Sequence, residues 1–336
     1  MKVHIDGGAL CAPQGRQYGN YTFSSDLLTS ISEGVDNNIY TIYTFCDNSL
    51  RKKNGRVVYK KLTPSTGFMP YRVGLEELKN PCDVFLALNQ AIPAHTKGKL
   101  IAFSHGLSFH LFPDLYRENH LKLENQLHIM LKKADAIIVS SEKVKQEFHD
   151  IAPSFKNVHV IPFGISLPII NTKPIKKRER VLAYVGMDHP IKQVDVICKQ
   201  FLSAKEEIGD NTWRLILVGV GDSYATLHNS ISVIPNLERD ELNKLYQSIS
   251  GLVTASLYES FNLPVLEALS NGAEVIGLQS AIIPELEQYV ICAPNKDILE
   301  LLLQEFMQGK LQKRDKLDAS LFSWEKYVQK LNTYIT

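Results

Sequence analysis

Short apolar, largely β-branched runs alternate with longer amphipathic stretches along nearly the whole of this 336-residue chain, and that alternation constrains its fold more than any other feature. Strands that read as near-continuous apolar runs are buried on both faces, as they are in a parallel sheet covered by crossover helices. In the first half, strands are predicted at 2–5, 39–45, 84–88, 100–104, 136–140 and 158–161, with helices at 21–32, 117–133 and 142–149. In the second half, strands are predicted at 181–185, 213–218, 232–234, 251–254 and 274–277, with helices at 194–207, 239–248 and 264–270. This pattern divides the chain into two α/β units, residues 1–166 and 181–320, joined by a linker at 167–180 that holds Pro168, Pro174 and a basic run ending at Arg180. That run reads first as a solvated hinge and second as a contact for anionic headgroups.

Composition agrees with two cores, since 44% of residues are hydrophobic and 22% charged. Lys and Arg total 37 against 36 Asp and Glu, so no global basic field points to nucleic acid as a partner. The five cysteines, Cys11, Cys46, Cys82, Cys198 and Cys292, are scattered without a C-x-x-C spacing and are expected to be reduced thiols of a cytoplasmic protein. The start of the chain runs from Met1 straight into a strand and a glycine turn, so no signal peptide is expected. No run reaches the eighteen or so apolar residues of a spanning helix, which leaves a peripheral contact at the inner face as the form of any membrane association.

The segment from Ser256 to Gly272 carries Glu259 and Glu267, eight positions apart around a predicted helix start. Pro264 suits the first helical position and Asn271 with Gly272 suits the stop. Ionised carboxylates accept hydrogen bonds from sugar and ribose hydroxyls, while a helix start offers N–H groups to phosphate. The same segment also fits an ordinary helix, because a Glu in a first turn is favoured by the macrodipole alone.

Other strand ends carry candidate groups. Gly219 and Gly221 form a Gly-x-Gly after an apolar strand, without the third glycine of the dinucleotide fingerprint. Lys192 comes after the strand that ends near Gly186 and is a flexible point charge suited to phosphate. The glycine-containing loop 15–22, with Arg16, precedes a helix, and His105 with Gly106 lies after another strand. No H-E-x-x-H, Cys/His cluster in sequence or Asp-rich loop suggests a metal, and no G-x-S-x-G suggests a nucleophilic serine.

Together these residues resemble family-4 retaining glycosyltransferases (glycosyltransferase group 1) of the GT-B fold. The resemblance rests on the spacing from Glu259 to Glu267, on Lys192, on Gly219 and Gly221, and on the loop 234–237. The first half adds Gly19 to Thr22, His105, 134–141 and 160–164, and the chain closes with a matching segment, 322–327. It implies an α/β chain of two Rossmann-like doubly wound domains facing a cleft, with a final helix, about 321–336, returning to the first domain. It implies donor-sugar contacts from Glu259, ribose contacts from Glu267, and phosphate contacts from Lys192 and the backbone of Phe261, Asn262 and Leu263. Asn236 and Leu237 would meet the base, Gly219 and Gly221 would line the nucleotide, and His105 would lie beside the reacting sugar.

The resemblance further implies a metal-independent transferase without a resident cofactor. Such an enzyme would move a hexose-type sugar from a nucleoside-diphosphate sugar to a carbohydrate or lipid-linked acceptor, as in polysaccharide or glycolipid synthesis. Two departures stand out. Met187 occupies a position where many family members carry a second basic residue, and Ser260 and Asn262 replace the commonest glycines of the motif. Met187 motivates an alternative, a catalytically weak protein that binds a nucleotide sugar as a sensor or partner. A GT-B sugar-nucleotide epimerase is the other.

Overall fold

A computed structural model of the chain describes all residues except 14–18, 35, 48–54, 166–177 and 312–313. The chain divides into two compact units, Met1–Gly164 with Phe322–Thr336, and Ile165–Leu321. Most of the expected linker, with Pro168, Pro174 and Lys176, lies outside the described residues, as do Gly15 and Arg16.

Among the described residues, the first unit is built on seven parallel strands, β1 (Lys2–Asp6), β2 (Ile39–Thr44), β3 (Val57–Lys61), β4 (Val84–Ala87), β5 (Lys99–Ser104), β6 (Ala136–Val139) and β7 (Val158–Val160). They lie in the order β3-β2-β1-β4-β5-β6-β7. Helices α1 (Gly19–Glu33), α2 (Gly74–Lys79), α3 (Ser108–Leu111), α4 (Arg117–Lys133) and α5 (Glu142–Ile151) fill the crossovers. Every residue of β4 and of β6 is buried, which is why those strands are unbroken apolar runs in sequence.

Among the described residues, the second unit has six parallel strands, β8 (Glu179–Val185), β9 (Arg214–Val218), β10 (Ile231–Ile234), β11 (Ile249–Thr254), β12 (Glu274–Leu278) and β13 (Ile291–Ala293). Their order is β10-β9-β8-β11-β12-β13, with α6 (Val194–Ile208), α7 (Arg239–Ser248) and α8 (Leu263–Ser270) in the connections between them and α9 (Lys296–Met307) after β13. Phe201, Leu215, Ile276, Leu299 and Leu303 meet in its core.

The last helix, α10 (Trp324–Ile335), packs in the first unit through Tyr327, Val328, Leu331 and Ile335. Phe23 collects Phe163, Trp324 and Tyr327 around its ring at centroid distances of 4.8, 5.7 and 6.0 Å. Trp324 runs so close to Gly164 that a Cβ there would overlap the Trp324 backbone nitrogen, so this junction requires glycine. Lys99 Nζ donates to the Tyr334 carbonyl at 2.7 Å and ties the end of the helix to β5.

Elements not expected from sequence are β3, β13, α2, α3 and α9. β3 is a sheet edge ending in two lysines, and β13 is a three-residue edge strand, so neither has the doubly buried pattern. α9 did carry a legible signal, because Leu299, Leu303 and Met307 recur every fourth residue and are its buried face.

The expectation of reduced cysteines is corrected for two of the five: Cys11 and Cys46 form a disulfide with Cα atoms 5.4 Å apart. Sequence spacing hides the pairing because sheet order creates it. β1 and β2 are parallel neighbours with Asp6 opposite Tyr43, so the segments after them leave from the same edge. Cys82 and Cys198 are buried thiols and Cys292 is a half-buried one. Cysteine usage therefore no longer argues for a reducing compartment.

Closing a loop across a separation of 35 residues restricts the unfolded chain by up to about 4 kcal/mol in the chain-entropy picture. Reduction with dithiothreitol, or the pair Cys11→Ser with Cys46→Ser, should lower the stability of the first unit, read by denaturant melts. Equal midpoints with and without reductant would show that the bridge contributes nothing.

Candidate functional site

In the second sheet the strand order reverses at β8. The chain passes from β8 to β9 and β10 on one side, then returns to β11, β12 and β13 on the other. Ligands of open α/β sheets bind outside the carboxyl ends of the strands at such a switch point. The segments leaving β8 and β11 are stitched together there, since the Leu257 N–H donates to the Ile191 carbonyl at 2.8 Å.

Lys192 and Glu259 meet across this point. A short turn, Pro190–Lys192, closes with the Lys192 N–H donating to the His189 carbonyl, and Gln193 takes a left-handed φ of 49° to enter α6. That turn delivers Lys192 Nζ to Glu259 Oε1 at 2.6 Å. Ser256 Oγ donates to the same carboxylate oxygen at 2.7 Å, and Ser280 Oγ holds the Ser256 carbonyl at 2.7 Å. The two charged side chains are 21% and 13% exposed, enough for an incoming group to reach them and little enough to strengthen their attraction. An ammonium and a carboxylate placed side by side can take an anion and a hydroxyl on adjacent atoms.

Glu267 has a different partner. It is buried in the first turns of α8, where its Oε2 accepts from Tyr246 Oη at 3.1 Å. Burial, and then the Glu267 charge, push the Tyr246 hydroxyl far above its usual range, so it remains a donor. Arg178 braces this corner by donating to the carbonyls of Tyr246, Ile249 and Asn271, at the ends of α7 and α8.

The helix start differs in detail from its sequence expectation. α8 begins at Leu263, which puts Pro264 in the second position, not the first. Asn262 is the cap, with a left-handed φ of 68°, and its Nδ2 donates to the Ala281 carbonyl at 3.0 Å. Its carbonyl accepts the Val265 and Leu266 N–H groups, so the anion-binding capacity of this turn narrows to the N–H groups before Pro264. Phe261 is buried, and it anchors the loop from beneath.

Gly219 is explained by the chain itself. Its φ is 87°, and a Cβ would lie 2.5 Å from the Gly186 carbonyl oxygen of the neighbouring strand end. Gly221 adopts an ordinary φ of −72°, and its N–H reaches Asp188 Oδ2 at 3.4 Å. Asp188 also accepts from Tyr224 Oη at 3.3 Å, so an acid stands next to the half-buried Met187, the position at which the resemblance leads one to expect a second basic residue. Asn236 is exposed and Leu237 half-buried in the loop after β10, two strands or roughly 10 Å along the sheet from the end of β8.

His105 belongs to the first unit and comes directly after β5. Its Nε2 lies 2.9 Å from the Leu88 carbonyl, which only accepts, so this nitrogen carries the hydrogen. The Phe23 ring packs edge-on against the imidazole at 4.8 Å. Burial pushes its pKa down to about 4, leaving a neutral ring near neutral pH. Gly106 is next, with a φ of 105°, a conformation that requires glycine.

Sequence spacing also missed a buried cluster in the first unit. His4, Glu77 and Cys82, far apart in the chain, bring their ligand atoms within 4.8 Å of one another. Glu77 Oε1 pairs with His4 Nδ1 and accepts from Tyr43 Oη at 3.1 Å, while its Oε2 accepts from Cys82 Sγ at 3.1 Å. These groups have the chemistry of cation ligands, and here their hydrogen bonds close within the cluster. Among the described residues, no helix is long and apolar enough to cross a membrane.

The profile of the family described as glycosyl transferases group 1 matches residues 179–307. Among curated proteins, a mannosyltransferase of Mycolicibacterium hassiacum, "MMP alpha-(1->4)-mannosyltransferase", is 24% identical over 177 residues, covering 49% of this chain and 41% of the relative. The chain thus spans less than half the length of the curated relatives it first matches. Among solved structures, a sucrose-phosphate synthase from Thermosynechococcus elongatus superposes with a TM-score of 0.74 at 14% identity, covering 99% of this chain and 98% of the other. An Anabaena protein, HepE, solved with UDP and glucose, superposes with a TM-score of 0.71 at 14% identity, covering 100% and 99%. The chain has the GT-B fold of those structures, and residues 179–307 of its second unit match the group 1 glycosyl transferase family.

Proposed function

We propose that this chain transfers a hexose-type sugar from a nucleoside-diphosphate sugar to an acceptor hydroxyl, with retention at the anomeric carbon and without a metal or resident cofactor. The observation that carries the reading is the Lys192–Glu259 pair at the switch point of the second sheet. In that reading the donor replaces the internal pair. Lys192 moves to the diphosphate, and Glu259, still held by Ser256, accepts from hydroxyls of the donor sugar. Glu267 takes the ribose hydroxyls, the backbone from Phe261 to Leu263 takes phosphate oxygens, and Asn236 and Leu237 approach the base.

The reaction then proceeds on one face of the sugar. The bond from C1 to the phosphate oxygen breaks, and its electron pair leaves with the diphosphate, stabilised by Lys192 and the backbone N–H groups. The acceptor oxygen bonds to C1 from the same side, and its proton passes to the leaving phosphate oxygen. His105, neutral and with Nε2 committed to Leu88, positions the sugar through Nδ1 and is not a general base. A mannosyl or glucosyl donor is supported by the relatives' names, and polysaccharide or glycolipid synthesis is the corresponding role.

Met187 and Asp188 favour a second reading, binding without appreciable turnover, because the acid lowers the local positive potential that a leaving diphosphate needs. A panel of UDP-glucose, UDP-N-acetylglucosamine and GDP-mannose separates these. Acceptor-dependent release of nucleoside diphosphate supports transfer, binding without release supports a sensor, and isomerised sugar supports an epimerase. Under the transfer reading, Glu259→Gln lowers turnover on the order of 10²-fold or more, since a hydroxyl-accepting charge at the sugar is gone. An unchanged rate removes Glu259 from the site.

The neutral state of His105 also bears on pH dependence. Because its pKa lies near 4, protonation of this ring contributes no limb to the kcat/KM profile between pH 5 and 8. His105→Asn should therefore lower the level of that profile without changing its shape over this range. A limb near pH 6.5 present in the wild type and lost in the variant would show that the ring titrates in function.

A further inference from the structure

The crossover from β3 to β4 carries α2 and has to pass β2 and β1, because β3 is the sheet edge and β4 lies beyond β1. Its helix therefore covers one face of those two strands. His4 and Tyr43 share that face, since Tyr43 is opposite Asp6, two residues from His4, and alternate strand residues point the same way. Glu77 meets them from α2, and Cys82 arrives on the segment that leads into β4. Separate stretches of chain thus converge beneath one helix.

Glu77 is the centre of the cluster and is completely buried. Its Oε1 pairs with His4 Nδ1 and accepts from Tyr43 Oη at 3.1 Å, while its Oε2 accepts from Cys82 Sγ at 3.1 Å. Tyr43 Oη also lies 3.0 Å from His4 Nδ1. Among the described residues no lysine or arginine pairs with Glu77, so only an imidazole, a phenol and a thiol face its carboxylate. A carboxylate taken out of water is costly without a cation beside it. The nitrogen, oxygen and sulfur ligand atoms all lie within 4.8 Å of one another. Neighbouring ligand atoms around a tetrahedral zinc ion are about 3.4 Å apart, so one ion fits if each side chain shifts by about half an ångström.

We propose that His4 Nδ1, the Glu77 carboxylate and Cys82 Sγ form a structural site in the first unit for one zinc ion or a like divalent transition metal. Imidazole nitrogen and thiolate sulfur favour zinc and cobalt over magnesium and calcium, which take oxygen ligands. The ion displaces the Cys82 thiol proton to solvent, and thiolate and carboxylate together offset its double charge, leaving the buried cluster neutral. His4 coordinates as a neutral ring with its hydrogen on Nε2. Tyr43 stays outside the ligand set and holds Glu77 through its hydroxyl, as outer partners of ligating carboxylates do. The ion pins α2 to β1 and to the approach of β4. It takes no part in the sugar-transfer step, whose Lys192 and Glu259 belong to the second unit, so the two assignments stand or fall separately.

The full chain, stripped with EDTA and titrated with Co2+ as a spectroscopic stand-in for zinc, tests the site. One equivalent should bind and give a thiolate-to-cobalt charge-transfer band, which added Zn2+ abolishes by displacement. Cys82→Ser should remove the band and weaken Zn2+ binding by on the order of 100-fold, whereas Tyr43→Phe should keep the band and weaken binding about tenfold. Zn2+ should raise the melting temperature of the wild type and not that of Cys82→Ser, and Mg2+ should raise neither. Cys198→Ala combined with Cys292→Ala leaves Cys82 as the one thiol outside the disulfide, and this chain decides the matter if Cys82→Ser does not fold. It must retain the band, and loss of the band there overturns the assignment. A wild-type chain without the band also overturns it, leaving Glu77 paired with a protonated His4. So does a band that survives Cys82→Ser, or equal stabilisation of wild type and Cys82→Ser by Zn2+.

Discussion

Among the described residues, every strand pairing in both sheets is parallel, and the rest of the structure depends on that constraint. Parallel strands release all their carboxyl ends at one edge, so groups far apart in sequence gather there wherever the strand order reverses. In the second unit this brings Lys192, after β8, onto Glu259, after β11, although 67 residues separate them. In the first unit it brings Asp6 onto Asn89 across 83 residues. The same geometry places Cys11 beside Cys46. Three unrelated chemistries, an ion pair, an amide clamp and a disulfide, arise from one topological rule.

Each gathering is supported by backbone contacts that set its geometry before any ligand arrives. The Leu257 to Ile191 hydrogen bond fixes the spacing of the two loops that carry the ion pair. The three Arg178 hydrogen bonds satisfy helix-end carbonyls that would otherwise face a partly buried corner beneath Glu267. In the first unit, α10 brings Trp324 and Tyr327 onto Phe23, which in turn packs against His105, so the chain's last helix supports a residue more than two hundred positions earlier. Preorganisation of this kind is what electrostatic catalysis requires, because groups already in place need no reorganisation when charge develops.

Much of this was legible in the sequence, for identifiable reasons. The doubly buried strands β4, β6 and β11 read as apolar runs, and Glu259, Glu267 and Lys192 stood out by residue type and spacing. What could not be read was adjacency. Nothing in the spacing of Cys11 and Cys46, or of Asp6 and Asn89, shows that β1 lies between β2 and β4. Gly219 was legible as a special residue but not for its reason, because the backbone it must avoid, that of Gly186, belongs to another strand. The edge strand β3, half-exposed and lysine-ended, lacked the pattern that made its neighbours visible.

Lys192 and Glu259 are proposed to divide one donor between them, the lysine holding phosphate and the glutamate holding sugar. Melting temperatures measured with a nucleoside diphosphate and with the matching nucleotide sugar test this division directly, since a ligand that binds only the native state stabilises it in proportion to affinity. If the division holds, Lys192→Ala loses most of the shift produced by the diphosphate. Glu259→Gln then keeps that shift but loses the further increment contributed by the sugar. Equal shifts in wild type and both variants would contradict the division and leave the two side chains as a structural ion pair.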